Sequence, residues 1–136
     1  MPEPDKKLEL ANQRFGNDLY ATQTTGIEIV AADVHYAKCK LVVDSRHRNA
    51  MGAVMGGAIY TLADFAFAVA ANMDKLDTVS LTSNVAFVAQ PKSDTLFAEA
   101  KPVKEGKTTC HYQIAVTDSL GNIVATVATS GVKLKQ

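Results

Sequence analysis

From position 49 to position 73 the chain carries one charged side chain, Asp64. The stretch opens on Gly52, Gly56 and Gly57 and runs on as an alanine-rich segment, residues 58–72. Alanine and leucine are among the strongest helix formers, and no proline interrupts the run. A helix apolar on every side has to be covered on every side. The segment therefore predicts a core helix, and the rest of the chain must wrap it.

The remaining sequence supplies strands for that purpose. His35, Ala37, Cys39, Leu41 and Val43 alternate with Val34, Tyr36, Lys38, Lys40 and Val42, the period of a half-buried strand. Residues 27–31 read as an earlier strand or the start of the same curved one. After the helix come four more alternating segments, about 79–89, 95–103, 107–117 and 122–134. Turn residues at 90–94, 105–106 and 118–121 divide them. Short turns between consecutive strands predict an antiparallel meander. Leu8, Ala11, Phe15 and Leu19 add a short amphipathic N-terminal helix over residues 5–19, capped by Asp5. One helix enclosed by a curled antiparallel sheet is an α+β solution. We read residues 1–136 as one domain: 1–26 as N-terminal helix and loop, 27–134 as the core.

Charge and cysteine usage narrow the function classes. Fourteen Lys and Arg balance fourteen Asp and Glu. The chain thus lacks the net basic field of a nucleic-acid binder, and no nucleic-acid partner is expected. Cys39 and Cys110 stand far apart, neither a disulfide framework nor a C-x-x-C pair. Residues 1–10 carry five charges and do not resemble a signal peptide. The longest apolar run, 65–71, is too short to span a bilayer, so no membrane partner is expected either. These features predict a cytoplasmic protein.

A carboxylate in so apolar a helix is costly unless it is paired, hydrogen-bonded or protonated. Two readings of Asp64 stand. It is a structural residue bonded to Thr61 or a strand serine, or it is a catalytic group tolerated for its chemistry. Eight residues earlier, Gly56 and Gly57 begin the helix, where N–H groups have no intrahelical acceptor and the helix dipole is positive. Such a site suits an oxyanion, although close packing of helix on sheet would also call for glycine. Eight helical residues advance about 12 Å. One carbonyl cannot sit at the Gly56 N–H and also beside Asp64 of the same chain. The catalytic reading therefore requires a homodimer with shared active sites, two per dimer.

The run from His47 to Ala66 resembles the signature of the hotdog-fold acyl-CoA thioesterases of the PaaI-like, phenylacetate-degradation type. That signature is approximately H-x-N-x-x-G-x-x-H-G-G-x-x-x-x-L-x-D-x-A, matched here by His47, Asn49, Gly52, Gly56, Gly57, Leu62, Asp64 and Ala66. One position departs: Met55 stands where the family has histidine, and a thioether cannot donate a hydrogen bond. The resemblance implies a hotdog fold and hydrolysis of acyl-CoA to free acid and CoA, without a metal or bound redox cofactor. It implies that Gly56 gives its N–H to the thioester oxygen. Asp64 of the partner subunit would serve as general base or nucleophile, and Asn49 would orient water or carboxylate. Met55, Gly57, Ser80, Phe87, Lys104 and Lys107 would contact the substrate, Lys107 near its phosphates. It also implies a dimer of dimers, a homotetramer.

Two other functions compete. A hotdog protein that binds acyl-CoA or another small ligand without hydrolysing it has Met55 in its favour and Asp64 against it. Hydration of an enoyl thioester wants a His–carboxylate pair, which the Met55 site lacks. Lys101, Lys104, Lys107, Arg46 and Arg48 suit phosphates or simply a solvated hairpin and loop. His35 and His111 alternate with strand residues and read as structural, and His47 as a residue that fixes its loop. No G-x-S-x-G elbow is present.

Overall fold

The computed structural model describes residues 5–135; residues 1–4 of the expected N-terminal segment, and residue 136, lie outside the described residues. A helix α1 (Lys6–Phe15) leads into a π-helical turn (Tyr20–Thr25) and the hairpin β1 (Glu28–Asp33) and β2 (Tyr36–Val42). A 3-10 turn (Ser45–His47) precedes the long helix α2 (Gly56–Asn72). Strands β3 (Thr78–Phe87), β4 (Thr95–Glu105), β5 (Thr109–Asp118) and β6 (Ile123–Lys133) follow. All six strands form one antiparallel sheet in the order β1-β2-β4-β5-β6-β3. The sheet curls around α2, as a hotdog fold does.

The meander holds for β4, β5 and β6 but not for β3. That strand does not pair with β4; it crosses to the far edge and lies along β6, with Ser83 opposite Thr129 and Phe87 opposite Ala125. Its start is fixed at the end of α2. Asn72 accepts from the N–H groups of Asp77 and Thr78 through Oδ1, at 3.0 and 2.8 Å, and donates from Nδ2 to the Thr78 carbonyl. These bonds set the start of β3 against the helix end, and residues 88–94 then carry the chain to β4.

The core is the concave face of the sheet against α2. Ala37, Cys39 and Leu41 of β2, Leu96 and Ala98 of β4, and Ile114 and Val116 of β5 alternate inward and are buried. Both cysteines are buried and free. On α2 the buried side includes Ile59, Leu62, Ala63, Ala66, Val69 and Ala70. The helix is not covered all round, however. Gly57 is exposed, and Tyr60, Thr61, Asp64 and Ala68 are half-buried, an open stripe at helical spacing. The sheet is too narrow to enclose the helix, and the stripe it leaves open carries Asp64.

Two further expectations change in detail. The N-terminal helix is capped as predicted, Asp5 Oδ1 accepting from the Lys7 and Leu8 N–H groups. It stops at Gly16, leaving Leu19 half exposed, because the chain turns there into the π-helical segment. Helix α1 is pinned by Arg14, whose Nη1 lies 2.8 Å from the carbonyl oxygens of both Asn72 and Met73. The guanidinium thus satisfies carbonyls that the end of α2 leaves unpaired. His35 is not a strand residue: it turns the β1–β2 hairpin at φ 62° and places Nε2 3.1 Å from Glu105 Oε1. Among the described residues no helix is long and apolar enough to cross a membrane.

Candidate active site

The loop before α2 is built by short polar residues. Asp44 Oδ1 accepts from the Arg46 N–H at 3.0 Å and starts the 3-10 turn. His47, buried, accepts from the Asp44 N–H through Nδ1 at 2.9 Å. Its Nε2 lies 2.7 Å from the Thr25 carbonyl oxygen. The first bond makes Nδ1 the acceptor, so Nε2 carries the proton and the ring is neutral. His47 thus ties the loop to the π-helical turn, the loop-fixing role expected. Asn49 Oδ1 accepts from the N–H groups of Met51 and Ala53, at 2.9 and 3.1 Å, folding the chain back toward the helix.

Met55 is the N-cap of α2, extended at φ −63° and ψ 139°, with no side-chain cap. Its carbonyl accepts from Ala58 and Ile59. The N–H groups of Gly56 and Gly57, in the first turn, have no intrahelical acceptor. The two glycines face different surroundings. A β-carbon on Gly56 would meet the Phe87 ring at 3.0 Å, whereas one on Gly57 would meet nothing within 4 Å. Asn49, Gly56, Ile59, Phe87 and Gln90 line one cleft of about 360 Å³. Met55, Gly57 and Thr61 line another of about 290 Å³, together with His47 and Tyr20.

A third cleft, of about 480 Å³, contains Asp64. Tyr60, Thr61, Phe65 and Ala68 of α2 form one wall, and Asp18, Leu19 and Tyr20 the other. Tyr20 and Thr61 belong to both this cleft and the Met55 cleft, so an open groove follows the stripe of α2 from its first turn to Asp64. Burial pushes the Asp64 carboxyl above the usual carboxylate range, and the nearby Tyr60 hydroxyl pulls weakly the other way. That tyrosine is itself anchored: its hydroxyl donates to Ser83 Oγ at 2.8 Å, and Ser83 Oγ lies 2.9 Å from Thr129 Oγ1. An unpaired N–H at the start of α2 can polarise a carbonyl, and a reluctantly ionised carboxyl can accept a proton from water. Within one chain the two stand too far apart to act on one carbonyl.

Residues 51–125 match the model of the thioesterase superfamily. Acyl-coenzyme A thioesterase PaaI of Escherichia coli is 31% identical over 121 residues, covering 88% of this chain and 86% of that protein. The chain belongs to the thioesterase superfamily. Within it the chain is of the PaaI-like hotdog type. The solved structure of E. coli PaaI superposes with a TM-score of 0.86 at 26% identity, covering 96% of this chain and 94% of that one. A putative esterase of Archaeoglobus fulgidus is 35% identical over 91 residues, 66% of this chain and 59% of that protein's length.

Set in this superfamily fold, the residues singled out from the sequence fall into separate groups. Asn49, Gly56 and Phe87 share one cleft, Met55 and Gly57 the next, and Asp64 stands about two turns further along α2. Ser80 is opposite Gly131, whose added β-carbon would point at Phe67 of α2, so Ser80 shares the helix-facing side of β3. Lys104 is exposed on β4 opposite His111. Lys107 lines a surface hollow with Ala71, Asp74 and Lys75, at the other end of α2. Within one chain, neither lysine lines the clefts at Gly56, Gly57 and Asp64. Sequence reasoning passed over Tyr60, Ser83 and Tyr20. Tyr60 had a signal, since it sits one helical turn before the single charge; the other two had none.

Proposed function

We propose that this protein hydrolyses acyl-CoA thioesters as a homodimer whose active sites are shared. The observation that carries the reading is the open stripe of α2: free N–H groups at Gly56 and Gly57 at its start, and half-buried Asp64 about two turns on. The PaaI relative supports the substrate class. The free edge of β3, with Val79, Leu81 and Phe87 exposed, offers the surface on which a second copy pairs. A two-fold axis that sets β3 antiparallel to its copy also sets the two α2 helices antiparallel. The N-terminus of one helix then faces Asp64 of the other, which the 12 Å separation requires (about 1.5 Å per residue). Pairing of dimers into a homotetramer follows the same family pattern.

In this arrangement the thioester carbonyl accepts from the Gly56 N–H, which strengthens as the oxygen becomes negative. Asp64 of the facing protomer takes a proton from water as the water oxygen bonds to the carbonyl carbon. The C–S bond then breaks, the electron pair leaves on sulfur, and the proton passes to the thiolate: acyl-S-CoA and water become carboxylic acid and CoA. A raised pKa makes Asp64 a stronger base than an exposed aspartate. Asn49 uses Oδ1 within its loop, so its Nδ2 is the end directed to water or carboxylate. Met55, Gly57, Ser80 and Phe87 contact the thioester region. Lys104 and Lys107 serve the phosphates only where assembly brings a second chain's hairpin to the site. No metal or redox cofactor enters this chemistry, and the proposed setting is the cytoplasm.

A second reading, an acyl-CoA binder without turnover, has one observation in its favour. The Met55 side chain, about half exposed beside Gly57, offers no proton where the family has imidazole. Release of free thiol from short, aromatic and long acyl-CoAs decides between them. We expect turnover in wild type that falls by about 10²–10⁴-fold in Asp64→Asn and Asp64→Ala. Binding without any turnover in wild type would reject the hydrolase, and full turnover in Asp64→Asn would reject Asp64 as its base.

A further inference from the structure

We propose that Tyr60 is a positioning residue for Asp64, ending a chain of three hydroxyls, Thr129, Ser83 and Tyr60, whose hydrogen-bond direction follows the charge of the carboxyl. The inference rests on the reading of Asp64 as the base. Tyr60 lies four residues before Asp64 on the same stripe of α2, so the two side chains are neighbours, and both line the same cleft. Behind Tyr60 the chain is continuous: 2.8 Å from Tyr60 Oη to Ser83 Oγ, then 2.9 Å to Thr129 Oγ1. Thr129 is buried, and Ser83 is its direct cross-strand partner, so the far end is held by the sheet.

The placement of Ser83 depends on an irregularity in β3. The register between β3 and β6 shifts between Ser80 and Thr82. Without the extra residue, Ser80 and Ser83 would point to opposite faces. With it, Ser80 and Ser83 both face the helix, and Ser83 reaches Tyr60.

Each hydroxyl has one proton to give and can also accept. With Tyr60 donating to Ser83, as the structure has it, the chain suits a protonated Asp64. When Asp64 has lost its proton, the three hydroxyls rotate: Thr129 donates to Ser83, Ser83 to Tyr60, and Tyr60 to the carboxylate. No proton changes owner. The reversal supplies a charge-assisted hydrogen bond only in the ionised state, the state that accepts the proton from water. The other ionisable groups lining this cleft are Asp18 and Tyr20, on the segment facing α2. Neither belongs to the hydroxyl chain.

The test compares wild type with Tyr60→Phe and Ser83→Ala. For Tyr60→Phe we expect kcat to fall about tenfold with KM nearly unchanged, because the carboxylate is no longer held toward the water, a loss that outweighs its gain in basicity. The acidic limb of the pH profile should move to higher pH, because the ionised carboxyl loses a donor. Ser83→Ala should move the same limb in the same direction, by less. Added to Asp64→Asn, Tyr60→Phe should cost nothing further. An unmoved limb and unchanged kcat in Tyr60→Phe, in an enzyme that Asp64→Asn inactivates, would overturn the proposal. Failure of the underlying reading looks different: Asp64→Asn would itself stay active. A second measurement is independent of turnover. The Asp64 carboxyl carbon, titrated by NMR, should have a higher pKa in Tyr60→Phe than in wild type, and an equal value would also overturn the proposal.

Discussion

The tip of the Phe87 ring packs against the bare α-carbon of Gly56, so closely that a β-carbon there would stand 3.0 Å from Cζ. Gly56 is therefore glycine for packing as well as for access. Gly57, with open space around it, is free of any such demand from its own chain. The glycine pair combines a packing requirement at one position with an open approach at the next.

That division allows the N–H of Gly56 to be tested alone. Gly56→Pro removes the donor at the first helical position, where proline is favoured and no intrahelical bond is lost. Met55 already has the extended backbone that a following proline needs. The exposed Phe87 ring has to yield by a few tenths of an ångström. We expect circular dichroism like that of wild type and turnover reduced by about 10²–10³-fold, the loss of one oxyanion donor. Undiminished turnover would exclude this N–H as the donor.

Asp64→Asn should stabilise the protein at neutral pH. The folded carboxyl has a raised pKa, and the unfolded one does not. As pH rises past the ordinary value, the unfolded chain gives up its proton first, so the folded state loses relative stability until pH has passed the raised value. Asparagine removes that loss. Chemical denaturation across pH should show the variant above wild type at neutral pH, with the gap closing below the ordinary Asp value. A variant less stable than wild type at neutral pH would contradict the desolvation account.

His47→Phe should weaken the site through its loop. Phenylalanine keeps the ring but leaves the Asp44 N–H and the Thr25 carbonyl without their partner. A loss of about 2 kcal/mol is expected from two such groups next to a buried side chain. Urea denaturation measures it. The π-helical turn should also show faster amide exchange, since His47 holds its last residue, Thr25.

Asp118→Ala should destabilise the β5–β6 turn more at neutral than at acid pH. Burial raises the pKa of this carboxyl, but hydrogen bonds from Lys92, Asn122 and Leu120 outweigh that and hold it at about 2. Its contribution is present above the ordinary Asp value and is lost as pH falls toward 2. Thermal scans should find the variant several degrees less stable at neutral pH, with the difference shrinking in acid. A difference independent of pH would refute the assignment.

Much of this molecule is legible in its sequence. The single charge between positions 49 and 73 marks both the central helix and the proposed base, since apolar periodicity and the cost of a buried carboxyl are both local properties. The strands of β4 to β6 follow from alternation and turn residues. What escapes depends on contacts between distant segments. The pairing of β3 with β6 joins segments far apart in the chain, and the alliance of Tyr60 with Ser83 depends on one extra residue in β3. The open stripe on α2 is invisible in the sequence too, because an apolar helix reads alike whether sheet or a second subunit covers it.

Shared sites can be tested most directly with mixed dimers. Gly56→Pro and Asp64→Asn chains carrying different tags would be co-expressed, and the dimers holding one of each isolated and assayed for thiol release. Each parent homodimer lacks one group at both sites. In the mixed dimer, Gly56 of the Asp64→Asn protomer faces Asp64 of the Gly56→Pro protomer, completing one site of two. The account predicts about half of wild-type turnover per dimer, from parents that are nearly inactive. Mixed dimers as inactive as their parents would show that no site joins Gly56 of one protomer to Asp64 of the other.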